Sequence, residues 1–389
     1  MLRQTWDLGP FAAMLAPVYT SPQTTQYIKI QYWTKNNLQM KEIDELYMRR
    51  CLQLARCGAG STSPNPMVGA VIVCDGRIIG EGYHIRAGEP HAEVNAVNSV
   101  SADDRPLLCR STIYVSLEPC SHYGKTPPCC DLIISCGIPR VVIGALDTNR
   151  NVNGAGIERM RAVGIEVTVG VLEDECRRLN KAFFSVHENG RPWVTLKWAQ
   201  SADGYIDLLR DCGSAVKIST PVSQVAVHKL RAQHDAILVG RHTALLDNPS
   251  LDIRHWSGRA PLRLVIDRNG TLPAGLKMFD GVQPTIVYTA CEKDGKFGKN
   301  VEQVELDFNA PLLPQILSHL GTLKIGSLLV EGGATVLQSF INASLWDEAR
   351  VEVNHSLKLD GGVVAPMLAG FSPICKEMVS GNEILYFRR

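Results

Sequence analysis

The chain has 389 residues, of which 45% are hydrophobic and 20% are charged, and its formal net charge is +1. A chain of this length exceeds the size at which a single hydrophobic core keeps growing, so two domains are expected. The near-neutral charge argues against nucleic acid or an anionic membrane surface as a partner, and no apolar run approaches the roughly 18 residues of a membrane helix.

The first forty residues carry only weak structural signals. A short apolar run at 11–18 follows Asp7, and Arg3 is the only basic side chain before it. A secretory signal peptide normally has a more cationic start and a longer apolar core. We therefore expect residues 1–43 to be a disordered leader, or to reflect a wrongly assigned start upstream of Met40.

Regular patterning begins at residue 44, where apolar side chains recur with helical spacing to residue 57. Two strand-like runs, 68–73 and 77–83, are joined by Asp75-Gly76, a strong hairpin signal. The alternation of helix-like and strand-like segments then predicts a sheet covered by helices on both faces. Its further members are helix 92–100, strand 112–117, a helix from about 128, strand 140–146, and segments 157–163, 165–171 and 172–186.

A polar break at 187–192, which contains Gly190 and Pro192, separates this series from a second one. The second series ends with a strand at 326–331, a Gly-Gly turn and a helix at 334–341. We therefore expect an α/β protein with a first domain at 44–189 and a second at 190–389. The other predicted elements of the second domain are strand 193–198, helix 222–232, and strands 236–240, 263–267 and 285–289.

A metal-ligand pattern lies in the first domain. His91 and Glu93 stand at a predicted helix start, Cys120 follows a strand, and Cys129 comes after eight intervening residues. One histidine and two cysteines are the ligand set of an open catalytic zinc site, which activates water. Both cysteines are expected where the chain enters a helix, so the amide dipoles there favour their thiolate forms. Glu93 can stay off the metal and carry a proton to a leaving amine, as in nucleobase deaminases.

Each part of this pattern has an ordinary alternative. A His-x-Glu sequence is most often a surface helix start, and a spaced cysteine pair is often simply buried. The order of the residues, and their positions between strands and helices, favour the metal site. Cys130 is a rival ligand to Cys129, but neighbours on a helix point to different sides, so only one can coordinate. We expect Cys130 to pack in the core.

Three segments give a specific resemblance. Residues 65–70 (Asn-Pro-Met-Val-Gly-Ala), 91–93 (His-Ala-Glu) and 117–129 (Leu-Glu-Pro-Cys-Ser-His-Tyr-Gly-Lys-Thr-Pro-Pro-Cys) closely resemble the deaminase half of the bifunctional riboflavin-biosynthesis deaminase/reductase family. The Gly-Lys-Thr-Pro-Pro-Cys stretch separates this family from cytidine and tRNA-adenosine deaminases, whose cysteines are closer together. The resemblance extends over residues 44–389 and implies a cytidine-deaminase-like three-layer fold for the first domain.

The resemblance implies roles for individual residues of the first domain. The reaction it implies is hydrolytic removal of the 2-amino group of 2,5-diamino-6-(5-phosphoribosylamino)pyrimidin-4-one. Lys125 would supply a cation for the phosphate, although a solvated loop charge is its interpretation without the resemblance. The implied roles are Zn²⁺ ligands for His91, Cys120 and Cys129, proton shuttle for Glu93, pyrimidine contacts for Asn65 and His84, and pocket lining for His122 and Lys125.

The second domain lacks a Gly-x-Gly-x-x-Gly motif after a strand, so its sequence does not indicate a standard dinucleotide fold. Residues 196–197, 201–204, 247–251 and 329–334 instead resemble the reductase half of the same family, which has a dihydrofolate-reductase-like fold. Hydride transfer from NADPH to the opened ribose is the implied reaction. By this resemblance NADPH is lined by Ala199, Thr243, Asp247, Arg268, Gly333, Ala334 and Thr335, and the substrate by Arg231, Leu251, Arg254 and Glu331.

One segment departs from the family pattern. A Gly-x-Ser-x-Trp-Ile run is usual there, whereas this chain has Gly-Ser-Ala-Val-Lys-Ile at 213–218, preceded by two extra residues. Ala215 takes the serine position and Lys217 the tryptophan position. We expect Lys217 to meet a phosphate of NADPH, with a solvated strand-end lysine as the alternative.

These observations leave three function hypotheses. The leading one is a bifunctional deaminase and reductase; the second keeps the deaminase but makes the C-terminal domain a silent binding or assembly module. The third is a nucleic-acid base deaminase, which the near-neutral charge and the Lys125 insert argue against. We expect a small phosphorylated pyrimidine as substrate, no nucleic-acid or membrane partner, and a homo-oligomer. The 12 scattered cysteines favour reduced thiols and a cytoplasmic location.

Overall fold

A computed structural model describes residues 22–123, 127–148, 154–291 and 296–389, with side chains from residue 39 onward. The chain divides into two compact units, residues 1–47 and 48–389. The described residues of the first unit belong to helix α1, Pro22–Arg56, so residues 22–43 of the expected leader are helical. No helix in the described ranges combines the length and the apolar character needed to cross a membrane.

The first half of the larger unit contains a five-stranded sheet with the strand order β2-β1-β3-β4-β5. β1 is antiparallel to β2 and β3, whereas β3, β4 and β5 run parallel. Its elements are β1 (Gly69–Cys74), β2 (Arg77–Tyr83), α2 (Ala92–Ser99), β3 (Thr112–Leu117), α3 (Cys129–Ser135), β4 (Arg140–Ala145), α4 (Ala155–Ala162), β5 (Glu166–Val169), α5 (Glu173–Leu179) and α6 (Lys181–Asn189).

The predicted hairpin and the predicted layers are both confirmed. Asp75 and Gly76 have φ values of 50° and 77°, the left-handed conformations that a tight two-residue hairpin turn needs. One face of the sheet packs in a core with residues of α2, α3 and α4. On the other face, Gly144 of β4 lies against Met48 of α1 and Cys176 of α5, both buried.

The second half is built on a nine-stranded sheet with the order β11-β10-β9-β8-β12-β6-β13-β16-β15, and β7 pairs with β14. The strands from β11 to β13 are parallel, and β16 is antiparallel to both of its neighbours. Its elements are β6 (Trp193–Ser201), β7 (Tyr205–Asp207), α7 (Pro221–Ala232), β8 (Ala236–Gly240), α8 (Arg241–Asp247), β9 (Leu262–Ile266), β10 (Thr285–Thr289), β11 (Val301–Glu305), α9 (Leu312–Thr322), β12 (Ser327–Val330), α10 (Ala334–Asn342), β13 (Glu348–Asn354), β14 (Val363–Val364), β15 (Cys375–Val379) and β16 (Asn382–Arg388).

The sequence prediction that the second series ends with helix 334–341 is wrong. Strand β13 follows α10 and lies between β6 and β16 within the sheet. Its apolar side chains enter the core, while Arg350 and Glu352 alternate with them and are also buried. The sequence did not predict β13, because its buried charged residues interrupt the apolar pattern expected of a buried strand. The polar break is also shorter than predicted, since α6 continues to Asn189 and ends at Gly190 with a φ of 66°.

Close packing of two strand ends fixes the turn after β12. A Cβ atom on Gly332 would lie 2.4 Å from the Cα of Val239 and 2.7 Å from the amide nitrogen of Gly240. Both contacts are with backbone, so a side chain here forces β8 and β12 apart. The turn therefore needs glycine at this position for steric reasons.

We predict that Gly332→Ala lowers the free energy of unfolding by about 1–3 kcal/mol, because overpacking displaces backbone. Gly321→Ala is the matched control, since its Cβ meets nothing within 4 Å and the residue is in α9. That control should be neutral or stabilising by up to about 1 kcal/mol. Denaturant unfolding of both variants measures the difference, and equal stabilities would contradict the packing argument.

Candidate active sites

The three predicted metal ligands come together in the first half. The Nδ1 atom of His91 lies 3.6 Å from the Sγ atom of Cys120 and 3.4 Å from the Sγ atom of Cys129. All three ligand atoms lie within 4.8 Å of one another. Zn–N and Zn–S bonds of about 2.1 and 2.3 Å at a tetrahedral angle place N and S about 3.6 Å apart. The three side chains therefore fit a zinc ion in type and in spacing.

The backbone positions the two cysteines differently. Cys129 is the first residue of α3, as predicted, but Cys120 lies in the loop between β3 and α3, so its predicted position at a helix entry is wrong. The Cys129 amide nevertheless donates a hydrogen bond to the Cys120 Sγ atom at 3.3 Å. The Cys120 sulfur therefore accepts a hydrogen bond from the first amide of α3, although Cys120 itself lies outside that helix.

The two thiols share their protons unequally. A hydrogen bond from the Cys129 thiol, aided by His91 and by the Cys129 amide, lowers the pKa of the Cys120 thiol to about 4. The same hydrogen bond, together with burial, raises the pKa of the Cys129 thiol. A thiolate is therefore already favoured at Cys120, and thiolate is the form that binds zinc.

Glu93 lies in the first turn of α2, two residues after His91, and only 3% of its surface is exposed. Burial, followed by the charge of Cys120, raises the pKa of the Glu93 carboxyl to about 7. Its carboxylate is not part of the ligand cluster. A carboxyl group with such a pKa can take up and release a proton near neutral pH.

Asn65 and His84 form a hydrogen-bonded pair near the cluster. The Nδ1 atom of His84 lies 3.1 Å from the Pro90 carbonyl, so this nitrogen must donate. Its Nε2 atom is therefore the acceptor for the Asn65 Nδ2 group at 3.2 Å. Burial lowers the pKa of His84 and favours this neutral form. The rings of His84 and His91 meet edge-on at 5.4 Å.

A cavity of about 210 Å³ is lined by Asn65, His84, His91, Glu93 and Cys120. His122 also lines it, whereas Lys125 lies outside the described residues. Sequence analysis assigned no role to Glu118 or Asp147, which line it as well. The carboxylate of Glu118 accepts amide hydrogen bonds from Asp147 at 3.3 Å and from Gly154 at 3.0 Å. Glu118 follows the buried strand β3 and lies within the 117–129 motif, and this position was the sequence signal that could have predicted its role.

Cys130 is directed away from the cluster. It is fully buried in the core between the sheet and α4, and its Sγ atom lies 3.6 Å from the Asp131 carboxylate. Burial raises the pKa of this thiol to about 11. Cys130 does not belong to the group of ligand atoms around His91. These contacts support the prediction that it packs in the core.

A larger cavity, of about 470 Å³, lies between the two halves. Asn65, Pro66 and Phe183 line both this cavity and the smaller one. It opens at the amino ends of β8 and β12, beside Asp235 and Ser327. In parallel sheets, ligands bind beyond the carboxyl ends of the strands, so size alone does not identify the second active site.

The residues predicted to bind the reductase substrate cluster at the carboxyl end of β12. Arg231 of α7 forms a two-pronged ion pair with Glu331, at 2.9 and 2.7 Å. Burial alone would raise the pKa of Glu331, but the charge and hydrogen bonds of Arg231 lower it to about 2. Arg231 also donates to the Asp252 carbonyl at 3.2 Å, and Arg254 binds the Asp252 carboxylate at 2.6 Å. The neighbouring Leu251 has its side chain in the core.

The residues predicted to bind NADPH are partly brought together. Gly333, with a φ of 58°, precedes Ala334 and Thr335 in the first turn of α10, and a Cβ on it would lie 3.3 Å from the Thr243 hydroxyl. This open turn at a helix start can receive a phosphate group. Four other predicted residues lie separately: Ala199 on β6, Asp247 at the end of α8, Arg268 after β9, 5.9 Å from the Phe308 ring, and Lys217 exposed in the altered segment.

Sequence analysis assigned no role to two further cationic side chains of the nine-stranded sheet, Lys197 and Arg350. Lys197 of β6 is the register partner of Arg350 of β13. Burial lowers the pKa of Lys197. Both terminal amino groups of Arg350 are buried without a hydrogen-bond partner among the described residues. Lys197 belongs to segment 196–197, which resembles the reductase family, but no sequence signal predicted that Arg350 would lie beside it.

Comparisons with known proteins agree with this geometry. Residues 41–145 match the cytidine and deoxycytidylate deaminase zinc-binding region, and residues 192–357 match the RibD C-terminal domain. The riboflavin biosynthesis protein RibD of Aquifex aeolicus is 41% identical, over 83% of this chain and 90% of its own length. The Escherichia coli protein of the same name is 37% identical over 81% and 88%.

A crystal structure of a diaminohydroxyphosphoribosylaminopyrimidine deaminase/5-amino-6-(5-phosphoribosylamino)uracil reductase from Thermotoga maritima covers 90% of this chain and 99% of its own, with a TM-score of 0.82 and 36% identity. Acinetobacter baumannii RibD gives a TM-score of 0.79 at 30% identity, with the same coverage.

The fold and the matched regions define a bifunctional enzyme, a deaminase with a zinc-binding region joined to a reductase. The chain belongs to the RibD family of riboflavin biosynthesis proteins. Its function is therefore in riboflavin biosynthesis, with a deaminase activity and a reductase activity.

The ligand geometry predicts the metal content of three cysteine variants. Cys120→Ser or Cys129→Ser should remove bound zinc and deamination, because each loses one of three protein ligands. Cys130→Ser should keep both, since its thiol is directed into the core. Metal analysis of purified protein by atomic emission, together with ammonia release, checks this. A requirement for Cys130 with Cys129 dispensable would refute the ligand assignment.

Proposed function

We propose that residues 44–189 deaminate 2,5-diamino-6-(5-phosphoribosylamino)pyrimidin-4-one, and that residues 190–389 reduce the ribosyl chain of the product with NADPH. The observation that carries the first step is a cluster of three zinc-type ligands, two of which, His91 and Cys120, line one cavity together with the buried Glu93 carboxyl. The named activities of the Thermotoga maritima protein support the assignment of both substrates.

His91, Cys120 and Cys129 would hold Zn²⁺ in the first half. When bound, the ion supplies a Lewis acid that lowers the pKa of water. Glu93 holds a proton on its carboxyl group and releases it toward the amine that leaves. Burial serves this role, because the raised pKa of the Glu93 carboxyl matches neutral conditions. The carboxylate of Glu118 accepts hydrogen bonds from the amides of Asp147 and Gly154, which hold it in place beside the cavity.

Asn65 and His84 orient the pyrimidine. His84 fixes the Asn65 amide by accepting from its Nδ2 group. The Oδ1 atom of Asn65 is then presented as an acceptor, which suits an amino group on the ring. A fixed amide lowers the entropy lost when the ring binds. His122 and Lys125 complete the pocket in this proposal, and Lys125 contacts the phosphate.

In the second half, Arg231 and Glu331 orient the reductase substrate, together with Arg254 and Leu251. Because Glu331 is fixed by two hydrogen bonds from Arg231, it presents a rigid acceptor edge. The turn of Gly333, Ala334 and Thr335 offers backbone amides at the start of α10 for a cofactor phosphate. NADPH supplies the hydride when bound. Ala199, Lys217, Thr243, Asp247 and Arg268 are its remaining proposed contacts.

Purified protein should release ammonia from the diaminopyrimidine phosphate without NADPH, and should oxidise NADPH only after deamination. Following ammonia and NADPH absorbance separately distinguishes the two halves. Ammonia release without NADPH oxidation on the deaminated substrate would instead make the C-terminal half a silent module. No ammonia release from zinc-loaded protein would overturn the first step.

Glu93→Gln should retain zinc and lose deamination by about 10²–10⁴-fold, the typical contribution of a positioned proton carrier. Glutamine keeps the size of the side chain but cannot carry the proton. NADPH oxidation on supplied deaminated substrate should be unchanged, because Glu93 lies in the other half of the chain. Near-normal turnover of the zinc-loaded variant would remove Glu93 from the mechanism.

Lys217→Ala should weaken NADPH binding roughly 10- to 100-fold, because a hydrogen bond to an ionised partner contributes about 1.5–3 kcal/mol. The exposed position of Lys217 leaves its ammonium group accessible to a phosphate. NADH binding and ammonia release should change little. Fluorescence titration with each cofactor measures the affinities, and equal NADPH affinity in variant and parent would establish a solvated lysine instead.

A further inference from the structure

The cavity of about 470 Å³ between the two halves is separate from both sets of reacting residues. Among the described residues that line it, none is a zinc-type ligand. It opens at the amino ends of β8 and β12, whereas the residues predicted to bind the reductase substrate cluster at the carboxyl end of β12. Ligand pockets typically measure about 300–1,000 Å³ and are frequent at domain interfaces. The cavity therefore has the size and the location of a ligand site.

The lining of this cavity is mostly apolar and includes two aromatic rings. Met67, Leu179 and Val186 contribute apolar surface. Phe183 and His187 of α6 also line it, and their ring centroids lie 4.4 Å apart. Aromatic side chains bind flat ring systems by stacking or by edge contacts. This wall therefore suits a flat heteroaromatic ring.

The charges at the cavity favour an anion. Arg259 and Lys324 line it, both are exposed, and neither forms an ion pair with a residue that the structure describes. Asp235 is the single acidic residue among the described lining residues. Its Oδ2 atom already accepts from the amides of Gly326 at 3.1 Å and Ser327 at 3.0 Å, and from the Ser327 hydroxyl at 2.9 Å. Two cations thus remain available, and guanidinium and ammonium groups are the usual partners of phosphate.

One wall separates this cavity from the deaminase cavity. Asn65, Pro66 and Phe183 line both cavities. Asn180, which is buried and also lines the larger cavity, fixes the same segment of chain. Its Oδ1 atom accepts from the Met67 amide and its Nδ2 group donates to the Met67 carbonyl, both at 2.8 Å. A ligand that contacts Asn180 or Phe183 therefore acts on the segment that carries Asn65.

We propose that this cavity is an effector site for a flat heteroaromatic phosphate, and that its occupation hinders deamination. The ring packs against Phe183 and His187, and the phosphate binds Arg259 and Lys324. Since the deaminase cavity measures only about 210 Å³, a small shift of the shared wall weakens pyrimidine binding. The effect on deamination rests on the role of Asn65 in the proposed function, whereas binding of the effector does not. Phosphorylated pyrimidines and flavin phosphates are two sources of this ligand chemistry.

Calorimetric titration of the full-length enzyme with uridine 5′-monophosphate and with flavin mononucleotide tests the site. At least one probe should bind saturably, and the tighter-binding probe identifies the source of the ligand. The double variant Arg259→Ala/Lys324→Ala should raise the Kd of that probe about tenfold or more, because it loses hydrogen bonds to a charged group. The matched control Lys358→Ala/Arg388→Ala also removes two exposed cations of the second half and should stay within about twofold. Arg254→Ala, which alters the proposed reductase substrate site, should likewise stay within about twofold.

Steady-state ammonia release measures the coupling between the two cavities. The bound probe should raise the KM for the diaminopyrimidine phosphate about fivefold, the lower end of typical coupling between sites. The increase should level off once the effector site is full, whereas a probe that competes in the deaminase cavity raises KM without limit. Arg259→Ala/Lys324→Ala should need about tenfold more probe for the same effect. NADPH oxidation on supplied deaminated substrate should change less than about twofold, because the reductase residues lie at the opposite edge of the sheet.

Four outcomes overturn the inference. Neither probe binds; the two double variants weaken binding equally; the affinity depends on Arg254 rather than on Arg259 and Lys324; or a bound probe leaves the KM for ammonia release unchanged or raises it without limit. The proposed function fails separately, if zinc-loaded parent enzyme releases no ammonia. The titration needs no turnover, so it decides whether the cavity binds a heteroaromatic phosphate in that case as well.

Discussion

Parallel strands end at a common edge of each sheet, and in both halves the chemistry depends on that edge. In the first half, Glu118 and Cys120 follow β3, and Asp147 follows its parallel neighbour β4. In the second half, Glu331 follows β12 and Arg268 follows β9. Chain leaving the end of a buried strand must turn, which exposes polar groups where helices begin. One geometric constraint therefore gathers residues that are far apart in sequence.

The same edge also supplies His91. Because β2 and β3 are both antiparallel to β1, β2 ends at the edge where β3 ends, and His91 stands at the start of α2, the helix after β2. The β3–α3 loop then fixes the cysteines, since the Cys129 amide donates to the Cys120 sulfur and the Cys130 amide donates to the Cys120 carbonyl at 3.2 Å. These backbone hydrogen bonds fix the sulfur positions before a metal binds, so less ordering remains to be done at that step.

Sequence patterns predicted the elements whose signals are local. Asp75-Gly76 defined its hairpin, and strands β8 and β10 have the predicted bounds, because apolar runs between turn residues are unambiguous there. Strand β13 was missed, since three of its seven residues are charged, and two of these, Arg350 and Glu352, are buried only through their neighbours in the fold. The cluster of His91, Cys120 and Cys129 could be predicted because the order of the motifs along the chain indicated it. The Arg231–Glu331 pair, by contrast, joins residues 100 positions apart, and its geometry appears only in the fold.

The ends of segment 207–218 in the reductase half are fixed independently of its middle. On one side, Asp207 is held by β14. On the other, the Ile218 carbonyl accepts from Asn354 at 3.1 Å and from Asn382 at 3.0 Å. Lengthening a loop between two anchored ends adds little entropy cost, which grows only as the logarithm of its length. A change in the length of this segment is therefore expected to disturb the sheet that carries Glu331 only slightly.

The nine-stranded sheet also contains buried charged side chains whose pairing is incomplete. Glu352 is wholly buried and accepts hydrogen bonds from Ser219, Ser223 and Asn382 at 2.7–2.9 Å. It is thus already satisfied, and the nearby Arg350 reaches it only at 3.9 Å. A buried guanidinium group with only a long ion pair is costly to bury, and burial also lowers the pKa of the adjacent Lys197. Buried charges with incomplete pairing are more typical of functional sites than of regions that only stabilise a fold.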